Sequence, residues 1–130
     1  MRFGYTILYV NDVSETIGFY ERAFGMSRAF VADDGDYGEL ATGDTVLAFA
    51  SHALGEALGH GEYRRNDPTQ PPPGIEIALV TDDVAAAWKT ALAAGATPYS
   101  PPTDRPWGQT VAYVRDLEGM LVELCTPVGG

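Results

Sequence analysis

The stretch DLEGMLVELCTP, residues 116–127, predicts a tight turn followed by a strand. One face of this strand is formed by three apolar side chains: Met120, Val122 and Leu124. The opposite face carries Leu121, Glu123 and Cys125, because successive side chains of a strand point to opposite sides. A carboxylate thus lies between two apolar neighbours, which makes Glu123 a candidate functional residue.

The chain that contains this strand consists of two halves with the same order of elements. Residues 1–52 open with the strand pattern FGYTILYV, continue with a helix for which Asp12 and Ser14 are candidate N-caps and which Gly25 ends, and finish with three short strands. Residues 75–130 repeat this order, with Gly95 in the place of Gly25. Neither half alone can bury the apolar face of its sheet. We expect an α+β fold in which tandem βαβββ repeats pair within one domain.

The segment between the halves, residues 53–74, is rich in Gly, Pro and charged residues. This composition predicts a linker loop between two halves of one domain, residues 1–130. His52 and His60 fall in or beside the loop without the spacing of a metal motif. We therefore expect both histidines to be solvated.

The amino-acid composition predicts which partners and which cell compartment to expect. The 130 residues include 18 acidic and 8 basic side chains, a net charge of −10 that repels phosphate backbones and predicts no nucleic-acid partner. The apolar runs are too short to cross a membrane, so no membrane partner is expected. The single cysteine, Cys125, excludes an internal disulfide and predicts a reducing, cytoplasmic location with a small buried thiol.

Two stretches of the sequence resemble the vicinal-oxygen-chelate superfamily, which includes glyoxalase I, extradiol dioxygenases and fosfomycin- and bleomycin-resistance proteins. They are YTILYVNDVSETIGFYERAFGM (5–26) and WGQTVAYVRDLEGMLVEL (107–124). The first is similar to the family's strand followed by an Asp-led helix that contains Phe-Tyr. The second is similar to its Asp-x-x-Gly hairpin followed by glutamate. The resemblance implies that the tandem repeats form a curved mixed sheet around a cavity, with helices on the outer face, and that the protein is a homodimer. It says little about the chemistry.

The resemblance also implies four metal-ligand positions, which fall on Tyr5, Ala48, Glu76 and Glu123. Metal-binding relatives have histidine at the first position, and glyoxalase-like members have glutamate at the second. Only Glu76 and Glu123 are competent oxygen ligands here. We therefore expect no complete metal site and no cofactor, the alternative being Mn²⁺, Mg²⁺, Fe²⁺, Ni²⁺ or Zn²⁺ held by these two glutamates.

Strand alternation places Tyr9 on the same face as Tyr5, and Trp107 is a further candidate because an exposed indole in a loop favours a pocket role. The ligand-binding candidates are Tyr5, Tyr9, Ala48, Trp107 and Tyr113. The candidates for proton transfer are Glu76 and Glu123, since two close carboxylates titrate as a coupled pair with one raised pKa. Aromatic rings beside carboxylates favour a flat or cationic organic ligand.

Three functions fit these residues. The first is a protein similar to the bleomycin-resistance branch, which sequesters a small aromatic or cationic molecule and thereby gives antibiotic resistance. The alternative is a divalent-metal-dependent lyase, isomerase or dioxygenase that uses Glu76 and Glu123. The third is a domain without a ligand of its own that serves as an interaction partner. The residues leave open whether the protein is an enzyme.

Overall fold

The computed structural model describes residues 1–60 and 62–129. The chain divides into two compact units, Met1–Glu21 with Gly25–Arg65, and Arg22–Phe24 with Asn66–Gly130. The first six elements in chain order are β1 (Tyr5–Val10), α1 (Val13–Phe24), β2 (Arg28–Val31), β3 (Tyr37–Leu40), β4 (Val46–Ser51) and α2 (His52–Ala57). The next five are β5 (Glu76–Val80), α3 (Val84–Ala93), β6 (Thr97–Asp104), β7 (Thr110–Arg115) and β8 (Leu121–Cys125).

The first unit contains a mixed four-stranded sheet in the order β1-β4-β3-β2. β1 runs parallel to β4, and the other neighbours are antiparallel. Helix α1 begins where the Asp12 carboxylate accepts a hydrogen bond from the Glu15 amide at 3.0 Å, and it ends at Gly25 with φ 65°. The helix packs on the sheet through large buried side chains, among them Phe19 and Tyr20, with the Tyr20 ring against Phe49.

A close approach between α1 and β3 depends on Gly38. A Cβ at this position would lie 2.5 Å from Cδ1 of Ile17 and 3.2 Å from Cγ1 of Val13. Since real Cβ atoms do not approach other atoms so closely, glycine allows the helix to lie directly on the strand.

The second unit repeats this architecture, with a sheet in the order β5-β8-β7-β6 and β5 parallel to β8. Asp83 caps α3, which contacts β6, β7 and β8. The hairpin between β7 and β8 closes through a hydrogen bond from the Asp116 amide to the Met120 carbonyl at 3.0 Å, with Gly119 at φ 87°. Arg115 holds residues 67 and 68 against this hairpin by donating to the carbonyls of Asp67 and Pro68 at 3.3 Å.

The predicted α+β fold with tandem βαβββ repeats is confirmed by these two sheets and their helices. The predicted linker loop over 53–74 is wrong at its start, because helix α2 occupies residues 52–57. Ser51 caps that helix by accepting a hydrogen bond from the Leu54 amide at 3.1 Å. The grouping of residues 1–130 into one domain stays a prediction. Among the described residues, no helix is long and apolar enough to cross a membrane.

Candidate functional site

One face of the second sheet gathers most of the polar candidates. The register pairs Ala78 of β5 with Glu123 of β8, and Glu123 with Tyr113 of β7. Glu76 lies on the same face as Ala78, two residues earlier in β5. The other face of β8 presents Val122 and Leu124, which are buried. The alternation expected from the sequence is therefore observed, and it brings Glu76, Tyr113 and Glu123 onto one surface.

Tyr113 and Glu123 form the shortest polar contact on this face. The phenol of Tyr113 donates a hydrogen bond to Oε1 of Glu123 at 2.5 Å, and both side chains are half-buried. This hydrogen bond, followed by burial and the charges of Glu123 and Glu76, raises the pKa of Tyr113 to about 12 against a smaller opposing effect of Arg105. The phenol is therefore a donor at neutral pH, and the carboxylate is its acceptor.

Glu76 lies beside this pair on the exposed edge strand β5. The pKa of its carboxyl is raised above the ordinary value, first by the partial loss of surrounding water and second by the charge of Glu123. A nearby carboxylate disfavours the charged form of Glu76, because like charges repel. The face thus concentrates negative charge that a cation would neutralise.

Cys125 continues the same strand face as a buried thiol. The residue is only 4% exposed, which confirms the prediction of a buried thiol. Burial, with a hydrogen bond to Glu123 as a smaller cause, raises the pKa of this thiol to about 11. A thiol that stays protonated at neutral pH is a poor nucleophile.

On the first sheet, Tyr5 and Tyr9 share one face of β1, and Ala48 lies on the neighbouring strand β4. Tyr5 is 56% exposed, whereas Ala48 is fully buried. The register places Glu39 of β3 directly opposite Ala48, on the face that also carries Tyr37. Glu39 was absent from the candidates derived from the sequence, although Tyr-x-Glu within a predicted strand was a usable signal.

Tyr9 belongs to a second group that the sequence did not predict, the histidine–tyrosine cluster of Tyr9, His52, His60 and Tyr63. The Tyr9 hydroxyl and His60 Nε2 share a hydrogen bond at 2.7 Å, and the Tyr9 and Tyr63 rings lie 4.9 Å apart. The Tyr63 hydroxyl and His52 Nδ1 share another at 2.5 Å. No local sequence pattern predicts these pairs, because Tyr9 and His60 are 51 positions apart.

The cluster corrects part of the prediction for the histidines. His60 is exposed, but His52 is half-buried, and burial followed by the charge of Arg65 lowers the pKa of its imidazole. The expectation that His52 is a solvated loop residue is therefore wrong, because α2 carries it against Tyr63. Gly55 makes this packing feasible, since a Cβ there would lie 3.1 Å from the Tyr9 ring.

Trp107 lies in the turn between β6 and β7. Its indole is 62% exposed, and its Nε1 donates a hydrogen bond to Oε1 of Gln109 at 2.7 Å. Of the residues predicted to bind a ligand, the structure brings Tyr113 beside Glu76 and Glu123, and Tyr5 and Tyr9 onto one face of β1. The assignment of these residues to a ligand stays a prediction.

Comparison with known protein families agrees with this architecture. The model of the glyoxalase/bleomycin resistance protein/dioxygenase superfamily matches residues 2–124, nearly the whole chain. The chain belongs to this superfamily. The resemblance drawn from residues 5–26 and 107–124 is thereby confirmed.

Solved structures with the glyoxalase fold are similar over almost the full chain. A glyoxalase/bleomycin resistance protein/dioxygenase family enzyme from Burkholderia phytofirmans PsJN has a TM-score of 0.83 and 18% identity, covering 97% of this chain and 98% of that one. A glyoxalase-related enzyme from Fulvimarina pelagi has a TM-score of 0.81 and 21% identity, covering 98% and 88%. TioX from Micromonospora sp. ML1 has a TM-score of 0.68 and 21% identity, covering 97% and 98%. At these identities the similarity establishes the fold alone.

A comparison with curated protein sequences found no match. The properties of the site therefore follow from the residues of this glyoxalase-superfamily chain alone.

Members of the glyoxalase superfamily often bind divalent metals, so the donor set of this chain matters. Within residues 1–60 and 62–129, no group of three or more His, Cys, Asp and Glu side chains is placed to hold a metal ion. Glu76 and Glu123 supply two carboxylates, whereas tight catalytic centres normally use three protein ligands. This donor set does not fit such a centre, and metal binding by the two glutamates stays a prediction.

Proposed function

We propose that this glyoxalase-superfamily protein binds a small aromatic organic cation on the face of the second sheet that carries Glu76, Tyr113 and Glu123. The observation that carries the proposal is the hydrogen bond from Tyr113 to Glu123, with Glu76 beside it. The phenol holds Oε1 of Glu123 in place, so that a carboxylate with a defined direction faces the open side of the sheet.

Charge supports a cationic ligand. Among the described residues, neither Glu76 nor Glu123 forms an ion pair with an arginine or lysine. Partly desolvated carboxylates without a counter-charge are unfavourable. A bound cation would relieve the repulsion between them and release the proton that Glu76 retains more tightly than an isolated glutamate.

Aromatic side chains near Glu123 support the proposal that the bound cation is aromatic. The Tyr113 ring lies next to Glu123. The Tyr99 ring approaches the Tyr113 ring edge-on, with the two ring centroids 6.5 Å apart. Tyr99 is exposed, so one aromatic surface remains open to a ligand. A quaternary ammonium attracts both ring faces and carboxylates, and a flat ligand ring can stack on tyrosine.

The test uses two probes of nearly the same shape, the cation 4-(trimethylammonio)phenol and the neutral 4-tert-butylphenol. Calorimetric titration should show that the wild type prefers the cation, and that Glu123→Gln weakens its binding about tenfold while sparing the neutral probe. Glu62→Gln, which removes one charge from an exposed position, is the matched control. Equal affinity of the wild type for both probes, or an unchanged affinity in Glu123→Gln, would contradict the proposal.

The alternative is a divalent-metal-dependent lyase, isomerase or dioxygenase, and one observation favours it. Glu76 and Glu123 lie on neighbouring parallel strands of one sheet face, at the two positions that the family resemblance assigns to ligands. Elemental analysis after reconstitution with Mn²⁺, Fe²⁺, Ni²⁺, Zn²⁺ and Mg²⁺ tests it. Stoichiometric metal that disappears in Glu123→Ala supports this alternative, and the absence of retained metal in both proteins rejects it.

We further propose that the protein is a cytoplasmic homodimer that sequesters its ligand, as a resistance protein would. Val80 of the edge strand β5 is 66% exposed, and the outer side of this strand has no partner strand in the sheet of its unit. A second copy that pairs with this open strand edge would also cover Val80. Light scattering at micromolar concentration should give twice the monomer mass of 13.9 kDa, and a monomer at every concentration would reject the dimer.

A further inference from the structure

We propose that the histidine–tyrosine cluster is a site of oxidative modification, at which the rings of Tyr9 and Tyr63 become joined by a carbon–carbon bond. The oxidant is a one-electron acceptor, of the class of a peroxidase-type haem oxidant or ruthenium(III). All four residues of the cluster belong to the first compact unit, and none of them takes part in the proposed function. The modification therefore depends on neither Glu76 nor Glu123.

The two phenol rings of the cluster are close enough to couple. Their centroids lie 4.9 Å apart, near the short end of the range of about 4.5–7 Å that aromatic pairs adopt. Gly55 permits this approach, because a Cβ there would lie 3.1 Å from the Tyr9 ring and 3.2 Å from the Tyr63 hydroxyl. The rings of Tyr99 and Tyr113 lie further apart, at 6.5 Å and edge-on. Coupling is therefore expected at Tyr9 and Tyr63.

An imidazole lies within hydrogen-bond distance of each phenol. The Tyr9 hydroxyl is 2.7 Å from Nε2 of His60, and the Tyr63 hydroxyl is 2.5 Å from Nδ1 of His52. A neutral imidazole has one unprotonated nitrogen, and we assign this nitrogen to the side of the phenol in both residues. Each hydroxyl then donates to a base that can take up its proton.

A base in this position makes a phenol easier to oxidise, because loss of an electron turns the phenol into a strong acid. The ordinary pKa is about 6.5 for imidazole and about 4 for a carboxyl group. The imidazoles therefore hold the released proton more firmly than the carboxylates that face Tyr37 and Tyr113. Burial lowers the pKa of His52, whereas His60 is exposed and can pass its proton to water. We expect Tyr9 to be oxidised first.

The reaction balances in electrons and atoms. Each phenol gives one electron to the oxidant and its hydroxyl proton to the facing imidazole, which leaves a neutral phenoxyl radical. The two radicals form a bond between their ortho carbons, and the hydrogens on those carbons then move to the phenol oxygens. In sum the chain loses two electrons and two protons, and two equivalents of the oxidant are each reduced by one electron.

The new bond joins β1 to the segment that follows α2. It closes a loop between residues 9 and 63 and so limits the conformations of the unfolded chain, as a disulfide does. The cross-linked protein should therefore unfold at a higher temperature than the untreated protein.

Photo-oxidation with tris(bipyridine)ruthenium(II), persulfate and a short flash of light tests the site. Mass spectrometry of the intact wild type should show a monomer that has lost two hydrogens, and peptide mapping should place the bond between residues 9 and 63. Tyr9→Phe and Tyr63→Phe keep the rings and should lose this product. Tyr99→Phe, at an exposed tyrosine outside the cluster, is the matched control and should keep it.

The role of the imidazole is tested by His60→Gln, because the amide oxygen accepts a hydrogen bond but is not a base. The yield of the bond should fall about tenfold, since only water then takes up the proton of Tyr9. His52→Gln should lower the yield in the same direction, and unchanged circular dichroism verifies the fold of each variant. An unchanged yield in both glutamine variants, or wild-type cross-links that form only between copies or between other tyrosines, would overturn the proposal.

Discussion

The phenol oxygen of Tyr113 lies 2.5 Å from Oε1 of Glu123 and donates a hydrogen bond to that carboxylate across two antiparallel strands. Tyr37 and Glu39 repeat this relationship within one strand of the first sheet, at 2.8 Å. In both pairs the pKa of the tyrosine is raised, so the phenol stays neutral and acts as the donor. A directed carboxylate beside an aromatic ring is the common chemical unit of the two faces.

The Tyr113 hydrogen bond should contribute to folding. Tyr113→Phe removes the donor and leaves a half-buried carboxylate oxygen without its partner, so the free energy of unfolding should fall by about 1 kcal/mol. Urea denaturation at pH 7 measures this change. Tyr99→Phe, at an exposed tyrosine on the neighbouring strand, should be within about 0.5 kcal/mol of the wild type. Equal stabilities of Tyr113→Phe and the wild type would show that the bond is compensated by water.

Glu76 should make the protein less stable as pH rises. Its carboxyl binds a proton more tightly in the folded chain than in the unfolded chain, where the pKa is near 4.5. The stabilisation is therefore complete below pH 4.5 and is lost as pH rises through the higher folded pKa. Glu76→Gln should melt at a higher temperature than the wild type at pH 7, and the difference should shrink at pH 4. Thermal melts between these values measure it, and the opposite trend would mean that a cation compensates Glu76.

Cys125 should resist alkylation in the folded protein. With a thiol pKa of about 11, roughly one molecule in a thousand carries the thiolate at pH 8, and the side chain is almost fully buried. Iodoacetamide should therefore label the native protein slowly and the urea-unfolded protein rapidly, as followed by mass spectrometry. Rapid stoichiometric labelling without urea would show that the strand β8 opens locally.

Gly38 should be intolerant of a methyl group. Gly38→Ala brings a Cβ to within 2.5 Å of Cδ1 of Ile17, which should cost about 1–3 kcal/mol in the free energy of unfolding. Ile17→Val removes that Cδ1 atom, so the double variant should be more stable than the sum of the two single effects predicts. Gly4→Ala, where no atom lies within 4 Å of the added Cβ, is the control. Strict additivity in denaturant titrations would reject this contact as the cause.

Local sequence signals determined most of the secondary structure. Asp12 and Gly25 mark the two ends of α1, and their roles depend on hydrogen bonds within a few residues of each. Residues 116–119 form the predicted turn for the same reason. Helix α2 was missed because its six residues include Gly55, and because its cap at Ser51 belongs to the preceding strand. Short helices are stabilised mainly by packing, so local sequence patterns predict them poorly.

Alternation along one strand determined which side chains share a face, but not which neighbours they meet. The sequence by itself placed Leu121, Glu123 and Cys125 on one side of β8, because the period of a strand is two residues. It could not place Glu39 beside Ala48 or Tyr113 beside Glu123, since those neighbours depend on the register between strands. Nor could it bring His60 to Tyr9 across 51 positions. Only the tertiary structure decided these pairs, because hydrogen-bonded strand pairing and packing join residues that no local spacing relates.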